Sequence, residues 1–266
     1  MKITMLGTGH ATVTKCYNTC FIIENNNQYL LVDGGGGNTL LRQLEKADID
    51  WRTIHQIFIT HKHLDHIVGV IWMIRMIAQG INQGKYQDEL YIYGHDEVIN
   101  LLDIMADNLL QKKEYAQIGK RIHLVQVTDS ETRQIIGTSV TFFDIHSTKA
   151  KQFGFCMDIG NHERLTCCGD EPYNDYEYSY VEGSKWLLHE AFCLSSEAEL
   201  FKPYEKHHST VKDACEIAAS MNIPNLVLYH TEDKNIDHRR QLYTAEGQTV
   251  YQGNILVPDD LDTITL

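Results

Sequence analysis

The stretch Thr60-His61-Lys62-His63-Leu64-Asp65-His66 decides how this chain is read. Ahead of it runs Ile57-Phe58-Ile59, apolar and β-prone like a buried strand. Behind it runs Ile67-Val68-Gly69-Val70-Ile71-Trp72-Met73, which reads as the start of a helix. Four side chains able to ligate a metal fall within six residues, at the point where a strand stops and a helix starts. Packing has no use for them there. Alternation puts His61 and His63 on one side of the turn, while Asp65 and His66 fall at the first helical positions and can face a second point. Imidazoles and a carboxylate suit zinc, and also manganese or iron. A solvated polar loop is the bland alternative, and the strand-to-helix context disfavours it.

Working outward, other apolar runs end the same way. Tyr29-Leu30-Leu31-Val32 ends on Asp33, followed by Gly34 to Gly37. Ser139 to Ile145 ends at His146, and Leu165 to Cys168 at Gly169-Asp170. Trp186-Leu187-Leu188 ends at His189-Glu190-Ala191, and Leu226 to Tyr229 at His230. With His61, six strand-like runs finish on Asp, His or a His-Glu pair. In layered α/β folds functional groups collect at strand ends, where loops converge on one crevice. The repetition predicts one shared polar site, and the side-chain types predict that it holds metal. The four glycines after Asp33 permit a close backbone approach. They lack the endings of phosphate-binding loops, so they read as a turn whose aspartate supports the metal site from behind its ligands. The histidines His10, His55, His95, His123, His162 and His238 read as structural. His207-His208 precede Ser209-Thr210, a pair suited to capping the helix that follows.

Composition bounds the rest. The 266 residues are 43% hydrophobic with four prolines, which fits a single domain spanning 1–266 and leaves little room for a Pro-rich linker. The amino terminus turns polar too quickly for a signal peptide, and the apolar stretch after His66 is interrupted at Arg75, so no run is expected to approach a membrane span. Seven scattered cysteines read as reduced thiols in a cytoplasmic protein. A formal net charge of −13 argues against broad nucleic-acid binding. It leaves room for a small anion drawn to a metal centre.

HxHxDH after an apolar strand resembles the metallo-β-lactamase fold, a superfamily of mostly dinuclear metallohydrolases built as four-layer αββα sandwiches. Across nearly its whole length the chain is similar to the ribonuclease Z-like branch. The similarity runs through Asp33 with its glycines, His61 to His66, His146 before Phe153-Gly154-Phe155, Gly169-Asp170, His189-Glu190-Ala191, His208-Ser209-Thr210 and His230. The resemblance implies two divalent ions, zinc first, with manganese or iron as alternatives. One would be held by His61, His63 and His146, the other by Asp65, His66 and His230, with Asp170 bridging. It implies a hydroxide shared by the two ions as nucleophile, Asp65 as its proton acceptor, and His208 as proton donor to the leaving group, steadied by Glu190.

Two departures bear on substrate. The transfer-RNA-processing members carry a long basic arm between the third-ligand His and the Gly-Asp, whereas 23 residues here separate His146 from Asp170, room for a hairpin. His230 is followed by Thr231-Glu232-Asp233 in place of the family's usual continuation. The expected function is therefore phosphodiester hydrolysis on a small or short anionic substrate. Nucleic acid is the less favoured partner, no membrane is expected, and a homodimer is compatible. The alternatives are a ribonuclease Z cutting tRNA 3′ ends, a lactonase, thioesterase or sulfatase on the same scaffold, and a metal-stabilised binding protein without turnover.

Overall fold

Alternation builds the layers. In Cys20–Asn25, Phe21 and Ile23 face one apolar cluster while Cys20 and Ile22 face another, and all four are buried. Leu30 and Val32 are likewise separated from Leu31, and Val227 and Tyr229 from Leu226 and Leu228. A strand apolar on both faces must be covered on both, which calls for a sheet on one side and helices on the other.

The computed structural model describes residues 1–266. Its first sheet contains β1 (Lys2–Gly7), β2 (Cys20–Asn25), β3 (Gln28–Val32), β4 (Ile54–Phe58), β5 (Leu90–Gly94) and β6 (Ile122–Gln126). The second contains β7 (Thr132–Ile135), β8 (Thr138–Asp144), β9 (Phe153–Gly160), β10 (Glu163–Cys167), β11 (Trp186–Glu190), β12 (Asn225–Tyr229) and β13 (Asn254–Leu256). The last strand, β14 (Thr263–Thr265), returns to pair with β1, giving seven-stranded sheets ordered β14-β1-β2-β3-β4-β5-β6 and β13-β12-β11-β10-β9-β8-β7. Strands β3 to β6 are mutually parallel, as are β10 to β13.

Parallel neighbours need crossovers, and helices supply them. On the first sheet these are α1 (Thr39–Lys46), α2 (Leu64–Asn82) and α3 (Asp96–Leu109), and on the second α4 (Val211–Ser220) and α5 (Arg239–Gly247). Leu40, Val70, Ile74 and Val98 pack on the outer face of the first sheet, and Val211, Ala214 and Tyr243 on that of the second. Phe21, Phe58, Phe142, Phe155 and Leu188 fill the space between the sheets. The result is the expected four-layer αββα sandwich.

Two local findings refine the expectations. Arg75 does not break α2, which runs for 19 residues and is long and apolar enough to cross a membrane by length and composition. Met73, Ile74 and Ile77 nevertheless lie in the core beneath it, and the Arg75 guanidinium rests 5.8 Å from the Trp72 ring. The short span between His146 and Asp170 holds the β9–β10 hairpin, turned by Asn161 and His162 in the left-handed region.

Candidate metal centre

Parallel register brings the ends of β3 and β4 side by side. Asp33 leaves β3 at φ 57° and accepts hydrogen bonds from the Thr60 amide (2.8 Å) and the Thr60 hydroxyl (2.9 Å). The same carboxylate lies 2.8 Å from His66 Nδ1. That contact assigns the His66 proton to Nδ1 and turns Nε2 toward the site. The glycine run makes the geometry accessible. Gly34 donates to the His66 carbonyl (2.8 Å) and Gly69 to the Gly35 carbonyl (2.9 Å), which pins the first turns of α2 to the loop. A Cβ on Gly69 would sit 1.8 Å from the Gly34 oxygen, and one on Gly34 would sit 2.5 Å from the Val70 nitrogen.

The centre of the cluster is Asp170, buried just after β10. Its Oδ2 lies 3.5 Å from each of three Nε2 atoms, those of His61, His66 and His230. Asp65 Oδ2 is 3.4 Å from His66 Nε2 and 3.5 Å from His230 Nε2, and His61 Nε2 is 2.8 Å from His63 Nδ1. Two donor sets result, His61-His66-Asp170 and Asp65-His66-His230, each with ligand atoms within 4.8 Å of one another.

These residues fit divalent metal. Donor atoms around a tetrahedral zinc at about 2.0–2.1 Å stand roughly 3.3 Å apart, close to the spacings observed. His66 Nε2 and both ring nitrogens of His230 are buried without a hydrogen-bond partner. Each such orphan costs about 1–3 kcal/mol unless something pairs with it. Burial alone would raise the Asp170 carboxyl, but His61, His66 and His230 outweigh it and hold the group well below the usual range. Burial works against a charged His66 too, and there Asp65 and Asp33 prevail, lifting it well above an ordinary imidazole, so a cation at Nε2 would take the place of the proton these carboxylates favour. His61, whose burial is not outweighed, stays neutral as a ligand must.

Six of the seven expected ligands are thus together: His61, His63, Asp65, His66, Asp170 and His230. His146 departs from the expected set. It is exposed in the loop after β8 at φ 54°, its ring 4.1 Å from that of Tyr176. Its neighbours are tied elsewhere, Ser147 to Glu171 (2.6 Å) and Thr148 to His207 (2.7 Å), and the loop so held turns Lys149 onto the cavity.

Glu190 and His208 stand beside the cluster, within 4.8 Å of His230 as a third group. The Glu190 carboxylate accepts from both the amide and the hydroxyl of Ser209, the latter at 2.7 Å. Its other oxygen lies 3.7 Å from His208 Nδ1, wider than a hydrogen bond. Burial pushes the Glu190 carboxyl up and, helped by the charge of His230, brings His208 down to about 2. The Ser-Thr pair divides its tasks. Thr210 caps α4 through Asp213, while Ser209 holds Glu190. His10, expected to be structural, lines the same cavity of about 330 Å³, its ring 4.5 Å from Phe192 and 6.3 Å from His230.

Residues 1–255 match the family model for Anti-Pycsar protein Apyc1. The chain belongs to this family. Among curated relatives, Ribonuclease Z of Thermococcus sibiricus is 23% identical across 100% of this chain and 96% of its own length. Ribonuclease Z of Lactococcus lactis is 22% identical across 97% and 98%. The alignments run over 314 and 306 positions against 266 residues, so each relative carries stretches without a counterpart here. Among solved structures, the metallo-β-lactamase-fold protein YhfI from Bacillus subtilis matches with a TM-score of 0.80 at 18% identity, covering 99% of this chain and 98% of its own. Human tRNase Z, short form, matches at 0.73 and 20% identity, covering 100% and 99%. The metallo-β-lactamase fold and the ribonuclease Z-like kinship read from HxHxDH and its companions are both borne out.

Proposed function

We propose that this chain is a dinuclear metal-dependent hydrolase that cleaves a small or short phosphodiester. The observation that carries the reading is the position of Asp170, whose one oxygen stands equally far from three imidazoles and joins two donor sets. His61, His63 and Asp170 would hold one ion, and Asp65, His66, His230 and Asp170 the other. His146 would join the first set only if its ring left Tyr176. Zinc is the first choice, with manganese or iron as alternatives. When bound, the ions supply a water with pKa near 7 and neutralise charge on the phosphoryl oxygens.

The chain's own residues do the remainder. Asp33 orients His66. Asp65 stays ionised beside His66 and His230 and can accept a hydrogen bond from the attacking water. His208 is the proton donor to the leaving oxygen. Burial favours its neutral form, and an anionic substrate beside it would favour the protonated ring that donation requires. Glu190, fixed by Ser209, stands 3.7 Å from His208 Nδ1 and would steady the ring once it is protonated.

A small substrate is favoured by the hairpin that takes the place of an RNA-gripping arm and by the net charge of −13. Cleavage of a chromogenic diester and of a precursor tRNA should be compared over a salt series. Gripping tRNA through several phosphates gives a slope of nearly one power of salt per contact. The diester should be cut with a shallow slope and the tRNA poorly. The kinship with ribonuclease Z favours the second reading, a tRNA 3′-end endonuclease. Efficient, site-specific, steeply salt-dependent cutting of the tRNA would install that reading in place of the first.

A further inference from the structure

The cavity around the donor sets carries side chains that the proposed chemistry does not use, Lys149, Lys206 and His10. The lysines are unusual for their neighbourhood. Nearby Lys151 pairs with Asp96 at 2.6 Å, Lys202 with Glu205 at 3.1 Å and Lys234 with Glu197 at 2.7 Å. Lys149 and Lys206 pair with no carboxylate, although acidic residues outnumber basic ones 36 to 23. Lys206 Nζ stands 5.0 Å from the ring of Phe192, the ring on which His208 stacks at 4.8 Å. Lys149 follows Thr148, whose bond to His207 ties its loop to the turn that carries Lys206. One hydrogen bond therefore joins the two loops that bring Lys149 and Lys206 to the same opening. His10 adds a neutral donor. Its Nδ1 accepts the Thr12 amide at 3.4 Å, which leaves the ring proton on Nε2.

We infer that Lys149 and Lys206 are specificity-determining residues, and that they select an anionic phosphodiester over uncharged esters by holding its non-bridging oxygens and ester arms, with His10 as a third contact. The inference rests on the hydrolase reading above and adds how the substrate class is chosen. A diester carries one full negative charge at neutral pH, while a lactone or thioester carries none. Two unpaired cations at a cleft mouth raise the local concentration of the former alone.

The test uses the metal-loaded enzyme and a nitrophenyl phosphodiester. Lys149→Ala/Lys206→Ala should raise KM at least tenfold with kcat within about threefold, and should flatten the fall of kcat/KM with ionic strength. Lys149→Arg/Lys206→Arg, which keeps both charges, should hold KM near wild type and shows that the loss is not a folding defect. An alanine double variant with unchanged KM and unchanged salt response overturns this inference alone. A wild-type enzyme that fails to turn the diester over contradicts the proposed function itself, and this inference with it.

Discussion

Gly69→Ala separates two forces that act in opposite directions. Gly69 lies inside α2, where replacing glycine by alanine ordinarily stabilises a helix by about 1 kcal/mol. Here the added methyl would stand 1.8 Å from the Gly34 carbonyl oxygen, whereas ordinary contact begins at 3.4 Å, so α2 and the glycine loop would have to part by about 1.6 Å. Overpacking of that kind costs about 1–3 kcal/mol. Parting also strains the Gly34–His66 and Gly69–Gly35 hydrogen bonds, each worth roughly 1 kcal/mol net. Set against the helix gain of about 1 kcal/mol, the net loss should be about 2–4 kcal/mol, or about 10 °C in melting temperature for a domain of this size. The same movement draws His66 from Asp33, now 2.8 Å away, so turnover should fall by about a hundredfold, as misplacements near 1 Å do. Gly37→Ala is the control, because a Cβ there meets nothing within 4 Å. Calorimetry and turnover would be measured on both. A Gly69→Ala protein as stable and active as wild type, or a Gly37→Ala protein equally damaged, refutes the close-approach argument.

Asp33→Asn should keep the fold but weaken metal binding by about 10–100-fold in competition with a chelating dye, since it loses the carboxylate that orients His66; unchanged affinity would assign Asp33 to the fold alone. His208→Ala should lower turnover by about a hundredfold at unchanged metal content, with a smaller loss for a nitrophenolate leaving group that needs less proton assistance; equal losses across leaving groups would point to binding instead. Glu177 is buried and its carboxyl is pushed from 4.5 up to about 8, first by burial. The folded state then keeps a proton that the unfolded chain has released, so stability falls as pH rises from about 4.5 to 8, by about 1.4 kcal/mol for each unit of the difference. Glu177→Gln should remove that fall, and its melting-temperature advantage over wild type should grow between pH 5 and pH 8.5. An advantage that stays constant would contradict the shift.

Much of the site was legible because strand ends are legible. Each of Asp33, His61, Asp170 and His230 follows an apolar run, and parallel register turns that one-dimensional pattern into a shared edge. The place of Asp33 behind His66 could be read from the strand end and the glycines that follow it. His146 satisfied the same rule, yet its loop is placed by Glu171 and His207, which lie far along the chain and leave no trace in local sequence. His10 was passed over although Gly7-Thr8-Gly9 also ends an apolar strand, so the strand-end rule applied to β1 would have found it. Ser209 and Thr210 look alike as caps, and only the approach of Glu190 assigns them different work. In α2, one arginine among apolar residues suggested an interruption, but its long side chain reaches past the core to Trp72.

The central claim is that two ions held around Asp170 make this chain a phosphodiester hydrolase. Protein stripped by a chelator would be titrated with zinc, and separately with manganese, while bound metal per chain and hydrolysis of a nitrophenyl phosphodiester are followed together. Activity should be absent in stripped protein and reach its plateau as the second ion binds, and Asp170→Ala should abolish that second step. Hydrolysis that is indifferent to metal, or complete with one ion per chain, or missing at saturation with two, would contradict the account.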